Sequence, residues 1–131
     1  VKKALLPDGW VKPRGYANGV AARGTQVFIA GQIGWDAQGR FQSSDFGAQA
    51  KQALANIVAV LAVAGGRPEH LVRLTWYVTD KREYVASLRE VGSAFRELIG
   101  DYDIAMSAVQ VAALIEDEAK VEIEATAVIP D

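Results

Sequence analysis

Hydrophobic residues recur at helical spacing in two stretches of the chain and alternate with polar ones in two others. From about Asp45 to Ala64, Phe46, Ala50, Leu54, Ile57, Val58 and Leu61 fall on one stripe of a helix. Ser43, Ser44 or Asp45 can accept hydrogen bonds from the free N–H groups of its first turn, and Gly65-Gly66 supplies a left-handed residue to end it. A second helix is expected from about Lys81 to Ile99, with Tyr84, Leu88, Val91, Phe95 and Leu98 as its stripe. Asp80 and Glu83 stand at capping-box spacing, and Gly100 stops it.

Strand periodicity is clearest from Leu71 to Thr79. Val72, Leu74, Trp76 and Val78 share one face there, and Arg73, Thr75, Tyr77 and Thr79 the other. Val121 to Val128 alternates in the same way, with Val121, Ile123, Ala125 and Ala127 opposite Glu122, Glu124 and Thr126. Gln26 to Ala30 reads as a more buried strand and Met106 to Val111 as a further one. Gly19 to Ala22 is expected to pair with Gln26 to Ala30 across the Arg23-Gly24-Thr25 turn. The order predicts an α+β domain over residues 1–131, one sheet with two helices on one face. Trp76 falls on the helix side as core. The other face is expected to carry Tyr77, Trp35, Ala108 and Val109, and a mixed face of this kind predicts a homo-oligomer.

Composition narrows the chemistry. The chain has no cysteine, which removes disulfides, a thiol nucleophile and a cysteine zinc site. Its one histidine, His70, sits in a polar loop before a strand, so no metal ligation is expected. The formal net charge is −2, and no basic cluster exceeds Lys2-Lys3 and Lys12-Arg14. Nucleic-acid binding is disfavoured on that ground, because neutralising phosphates supplies most of its non-specific affinity. No apolar run reaches a membrane span; the longest lies around Ile57 to Ala64. The basic then apolar start is cut short by Pro7-Asp8-Gly9, so the expected location is the cytoplasm. No phosphate loop, dinucleotide fingerprint or nucleophile elbow is present; Gly31-Gln32-Ile33-Gly34 lacks the following helix that would hold a phosphate.

Four segments, in order and spanning nearly the whole chain, carry a family resemblance. They are Gly15-Tyr16-Ala17-Asn18-Gly19-Val20, Phe28-Ile29-Ala30-Gly31-Gln32-Ile33-Gly34, Ala64 to Asp80, and Val121-Glu122-Ile123-Glu124-Ala125-Thr126-Ala127. The chain resembles the Rid/YjgF (reactive intermediate deaminase) family, also known by the older label L-PSP endoribonuclease. The resemblance implies a chorismate-mutase-like α+β fold. It also implies a homotrimer with clefts between subunits and hydrolysis of 2-amino-acid enamines and imines without cofactor or metal.

Carried over residue by residue, the family's tyrosine falls on Tyr16, its strand-ending glycine on Gly31 and its water-positioning glutamate on Glu122. Its helix asparagine falls on Arg89. Its carboxylate-clamping arginine falls on Met106 of Met106-Ser107-Ala108-Val109-Gln110-Val111. Gly34 stands where many members have proline, which implies a looser loop. A buried carboxylate left without its cation loses about 3–5 kcal/mol, and methionine, flexible and polarizable, suits an apolar or aromatic ligand. Glu122 as general base or water-orienting group calls for partial burial. Tyr16 either donates to ligand or packs a loop on the sheet, and Trp35 either walls the cleft or anchors a turn. Arg89 either reaches a subunit boundary or is solvated, and Arg14 reads as a loop surface residue. Backbone groups near Gly31 and Ala108 would hold the ligand. The first function this implies is a divergent hydrolase of a C=N or activated C=C bond in an uncharged or aromatic metabolite. The second is a non-catalytic metabolite-binding or regulatory trimer, and the last an endoribonuclease.

Overall fold

The computed structural model describes residues 2–131. In chain order its elements are β1 (Lys3–Leu5), β2 (Gly19–Ala21), β3 (Thr25–Ile33), α1 (Phe46–Val63) and β4 (Leu71–Val78). There follow α2 (Lys81–Ala86), α3 (Leu88–Leu98), β5 (Ala105–Gln110) and β6 (Val121–Ile129), and a short 3-10 turn, Pro68–His70, leads into β4. The main sheet has the order β3-β6-β4-β5. β4 and β5 run parallel, and β6 lies antiparallel to both β3 and β4. β3 and β4 are therefore parallel too, and each parallel pair is joined through helix. Such crossovers need a dozen or more residues and lay their helices on a face of the sheet.

The helical stripe of α1 buries Phe46, Ala50, Ala53, Leu54, Ile57 and Leu61 against Leu71, Leu74, Val121 and Ile123 of the sheet. Asp45 caps the helix as expected, its side chain accepting from the Ala48 N–H at 2.9 Å. Beyond Ala64, Gly65 (φ 79°) turns the chain so that the Gly66 N–H donates to the Leu61 carbonyl. α1 is long and apolar enough by length and composition to cross a membrane, unlike the shorter run read from the sequence; its buried stripe packs on the sheet.

Several expectations are corrected. Gly19–Ala21 pairs with Lys3–Leu5 in a separate two-stranded sheet, not with β3. The turn between them is no tight hairpin: Gly24 sits at φ 146° with the Ile129 carbonyl where a Cβ would be, so the chain folds against the end of β6. In β4 a bulge between Leu71 and Arg73 puts Leu71 in the core, fully buried, and leaves Val72 half-buried. The second helix breaks at Ser87 (φ −101°, ψ 6°), whose N–H is shared among the carbonyls of Glu83, Tyr84 and Val85. The break lets Tyr84 stack edge-on to Phe46 and lie beside Trp76, at 6.0 and 6.2 Å between ring centroids. Asp80 caps α2 through the Arg82 N–H, while Glu83 pairs with Lys120 at 2.9 Å instead of closing a capping box. Finally, Ala108 registers with Trp76, on the helix side of the sheet, and only Val109, beside Tyr77, belongs to the open face. Gly34 is not loose either: it is buried, and a Cβ there would come 2.5 Å from Cβ of Gln49.

Where α3 meets the start of α1, Glu90 lies over Gly47, whose missing Cβ leaves room for the carboxyl group. A hydrogen bond with the Asp45 carboxyl raises the Glu90 pKa above the ordinary glutamate range, with like-charge repulsion adding to it. A raised carboxyl pKa in the fold stabilises at acid pH, and that contribution is lost as pH rises through the folded pKa. Glu90→Gln keeps a donor to Asp45 at every pH. It is expected to raise Tm at neutral pH and to flatten the gain in Tm on mild acidification, measured by thermal unfolding. An unchanged pH slope would contradict the shared proton.

Candidate functional site

A cavity of about 710 Å³ opens beside β5, the edge strand of the sheet. Register with β4 decides its wall: Met106 lies beside Leu74 and Ala108 beside Trp76, so both turn towards the helices. Met106 is half-buried and packs against the core. Trp76 of β4, Tyr84 of α2, and Val91 and Phe95 of α3 complete an apolar lining. Tyr16 closes one side. It is held there because the next residue, Ala17, forms a parallel bridge to Ala105, its N–H donating to the Ile104 carbonyl at 2.9 Å. Three of the residues read from the sequence, Tyr16, Met106 and Ala108, thus meet in one place.

Gly31 and Glu122 meet in another. Glu122 alternates with the buried Val121 and Ile123 of β6, so its side chain stands on the open face, half-buried. It lies directly against Gly31, where a Cβ would collide with its carboxylate. That contact, with the bulge between Ile29 and Gln32 of β3, is the reason glycine is needed at this position. On the same face the Tyr77 hydroxyl donates to Glu124, which holds the Tyr77 pKa above its ordinary value. Within one chain, then, the sheet separates the Met106 group from the Glu122 group.

The remaining two candidates join neither group. Trp35 packs on Phe41, 5.9 Å between ring centroids, and the two are bridged backbone to backbone across a turn. The Asn56 amide fixes that turn by donating to the carbonyls of Ile33 and Trp35. Arg89 is exposed on α3, outside the cavity lining. Two cations do line the cavity. They are Arg14, expected as a surface residue of its loop, and Arg96, which is not among the residues expected at the site. The signal for Arg96 was present: it follows Phe95 of the apolar stripe and stands four residues after Gly92, so it lies over that glycine on one helix face.

A second cavity, of about 670 Å³, lies between the segment 112–120 and the start of α1. Its lining includes Ser43, Gln49, Glu83 and Lys120, and none of the sequence candidates. His70 accepts the Arg67 N–H at Nδ1, 2.9 Å, in the 3-10 turn. Among the described residues, no three His, Cys, Asp or Glu side chains are grouped to hold a metal ion.

A mixed sheet with its helices on one face matches solved structures of YjgF/L-PSP proteins. The family profile described as "Endoribonuclease L-PSP" matches residues 11–129. A 2-iminobutanoate/2-iminopropanoate deaminase of Salmonella typhimurium is 34% identical over 113 residues, 86% of each chain. Among solved structures, a Rid-family protein of unknown function from Yersinia pestis superposes with a TM-score of 0.85 at 32% identity, covering 98% of both chains. Escherichia coli TdcF, solved with bound serine, superposes with a TM-score of 0.71 at 33% identity, covering 92% of this chain and 91% of that one. The chain belongs to the Rid/YjgF family.

Proposed function

We propose that the chain assembles as a cytoplasmic homotrimer whose intersubunit clefts bind a small metabolite and hydrolyse its C=N bond. The observation that carries this reading is the separation of two half-sites. Tyr16, Met106 and Ala108 wall a cavity at an edge strand, while Glu122 and Gly31 stand on the opposite sheet face of the same chain. Each is incomplete alone, and a second copy set against the β5 edge would bring its own Glu122 to the first copy's cavity. Glu122 then orients a water for attack on the imine carbon, and Tyr16 donates to the ligand. The apolar lining fits a ligand with an aliphatic or aromatic body. Relatives named as 2-iminobutanoate/2-iminopropanoate deaminases and the serine-bound homologue support a small amino-acid-derived ligand.

Met106, where the resemblance places arginine, favours a second reading: a trimer that binds such a metabolite without turning it over. Two measurements separate the readings. Light scattering is expected to give three times the 14.1 kDa chain mass. Ammonia release from a panel of imines is expected to exceed the spontaneous rate, by more for aryl-substituted imino acids than for the small 2-iminobutanoate. Saturable binding with no such excess would favour the binder, and a monomeric mass would overturn both. An endoribonuclease reading stands last, since His70 holds the Arg67 N–H in its turn, away from Glu122 in sequence and role.

A further inference from the structure

The cavity beside β5 is apolar on its walls, yet two arginines and one aspartate, Arg14, Arg96 and Asp101, share its lining. We propose that Arg96 is the residue that holds the acidic group of the ligand there, so that the ligand class is an aromatic or aliphatic body bearing a single carboxylate. The proposal rests on reading this cavity as the ligand site and replaces the uncharged ligand that Met106 suggested.

Three observations converge. The Arg96 guanidinium folds back along α3: one of its terminal nitrogens lies 3.4 Å from where a Cβ on Gly92 would be, and Gly92 itself lines the cavity. The guanidinium thus lies beside a residue of the cavity wall. Next, neither arginine is held by an ion pair among the described residues, where the paired cations are Lys51, Arg67, Arg82 and Lys120. Asp101 balances only one of the two, so the site keeps a cation for a ligand anion. Last, the planar guanidinium matches a carboxylate through two parallel hydrogen bonds, which fixes orientation as well as charge. The preceding residue, Phe95, and Trp76 wall the same cavity, so an aromatic body would be stacked while its acid group meets Arg96. Arg14 is the weaker candidate. It lines the same cavity from an exposed loop outside the helices and strands.

Because Arg96 is exposed, solvent screens the pair, and the expected gain is modest, about three- to fivefold in affinity. Isothermal titration with hydrocinnamate and its uncharged counterpart hydrocinnamamide tests this on the whole protein. Wild type is expected to bind the acid about three- to fivefold tighter than the amide, with the preference fading as salt is added. Arg96→Gln should abolish the preference and leave amide affinity unchanged, Arg96→Lys should keep part of it, and Arg14→Gln most of it. A preference that survives Arg96→Gln, or that falls with Arg14→Gln instead, overturns the assignment. Binding of the amide without preference for the acid overturns the acidic ligand class while leaving the cavity as a ligand site. Binding of neither probe overturns both.

Discussion

Exchanging Met106 for arginine is expected to raise ammonia release from 2-aminoacrylate by about two powers of ten in kcat/KM. The side chain at 106 lies on the helix side of β5, beside Leu74, in the wall that also holds Tyr16 and Ala108. A three-carbon acid fills little of a cavity of about 710 Å³, so its carboxylate dominates its binding. Beside methionine that carboxylate is desolvated without a partner, a loss of about 3–5 kcal/mol before water leaks in to offset part of it. Arg96 does not substitute for a small acid. It sits on α3 and serves a ligand long enough to span from the strand to the helix. The new arginine would join Arg14 and Arg96 in one lining, and like charges there cost about 1 kcal/mol, a drop of a few degrees in Tm. That drop is read separately from the rate. A variant that folds, keeps its assembly mass and gains no activity would show that the rest of the site has changed as well as the clamp.

How far the site could be read from the chain depended on the kind of signal. α1 and β6 were legible nearly to the residue because each shows one period over its whole length, closed by Asp45 and Gly65 in one case and by alternating glutamates in the other. The sidedness of β5 was not. Ala-Met-Ser-Ala-Val-Gln has no clean alternation, and only pairing with Leu74 and Trp76 turns Met106 and Ala108 towards the helices. Leu71 entered the core against the alternation of its strand because a bulge shifts register, and no glycine announces that bulge. The Ser87 break is equally silent, with neither glycine nor proline nearby; it follows from the packing of Tyr84 on Phe46 and Trp76. Local periodicity assigns Gly19–Ala21 to β3, the nearer strand, and does not weigh the upstream segment Lys3–Leu5 with which it pairs. Arg89 follows only from the family position and lies outside the cavity, whereas Arg96, which the sequence reading did not single out, lines it.

Replacing Gln49 by alanine is expected to lower stability by about 2–4 kcal/mol, or roughly 10 °C in Tm for a chain of this size. Gln49 is 1% exposed, yet it is a polar residue on the apolar stripe of α1. Its amide nitrogen donates to the carbonyls of Ser43 and Glu118, at 3.1 and 2.9 Å, and its carbonyl accepts the Lys120 N–H at 2.8 Å. One side chain thereby ties the entry to α1 to the segment that leads into β6. Removing it leaves two carbonyls and one N–H without partners, each worth about 1 kcal/mol or more. The neighbouring open cavity admits water to some of them, which holds the loss below the sum for sealed groups. Gln49→Met separates the causes, because it keeps the volume packed against Gly34 and deletes only the hydrogen bonds. If the bonds matter, methionine recovers at most about half of the loss; a variant within about 0.5 kcal/mol of wild type would show that Gln49 acts by filling space. The consequence reaches the chemistry, since Lys120 is two residues before Glu122. Freeing its N–H loosens the start of β6, so the Gln49 variants should weaken imine hydrolysis more than they weaken binding in the cavity beside β5, which is built from other strands.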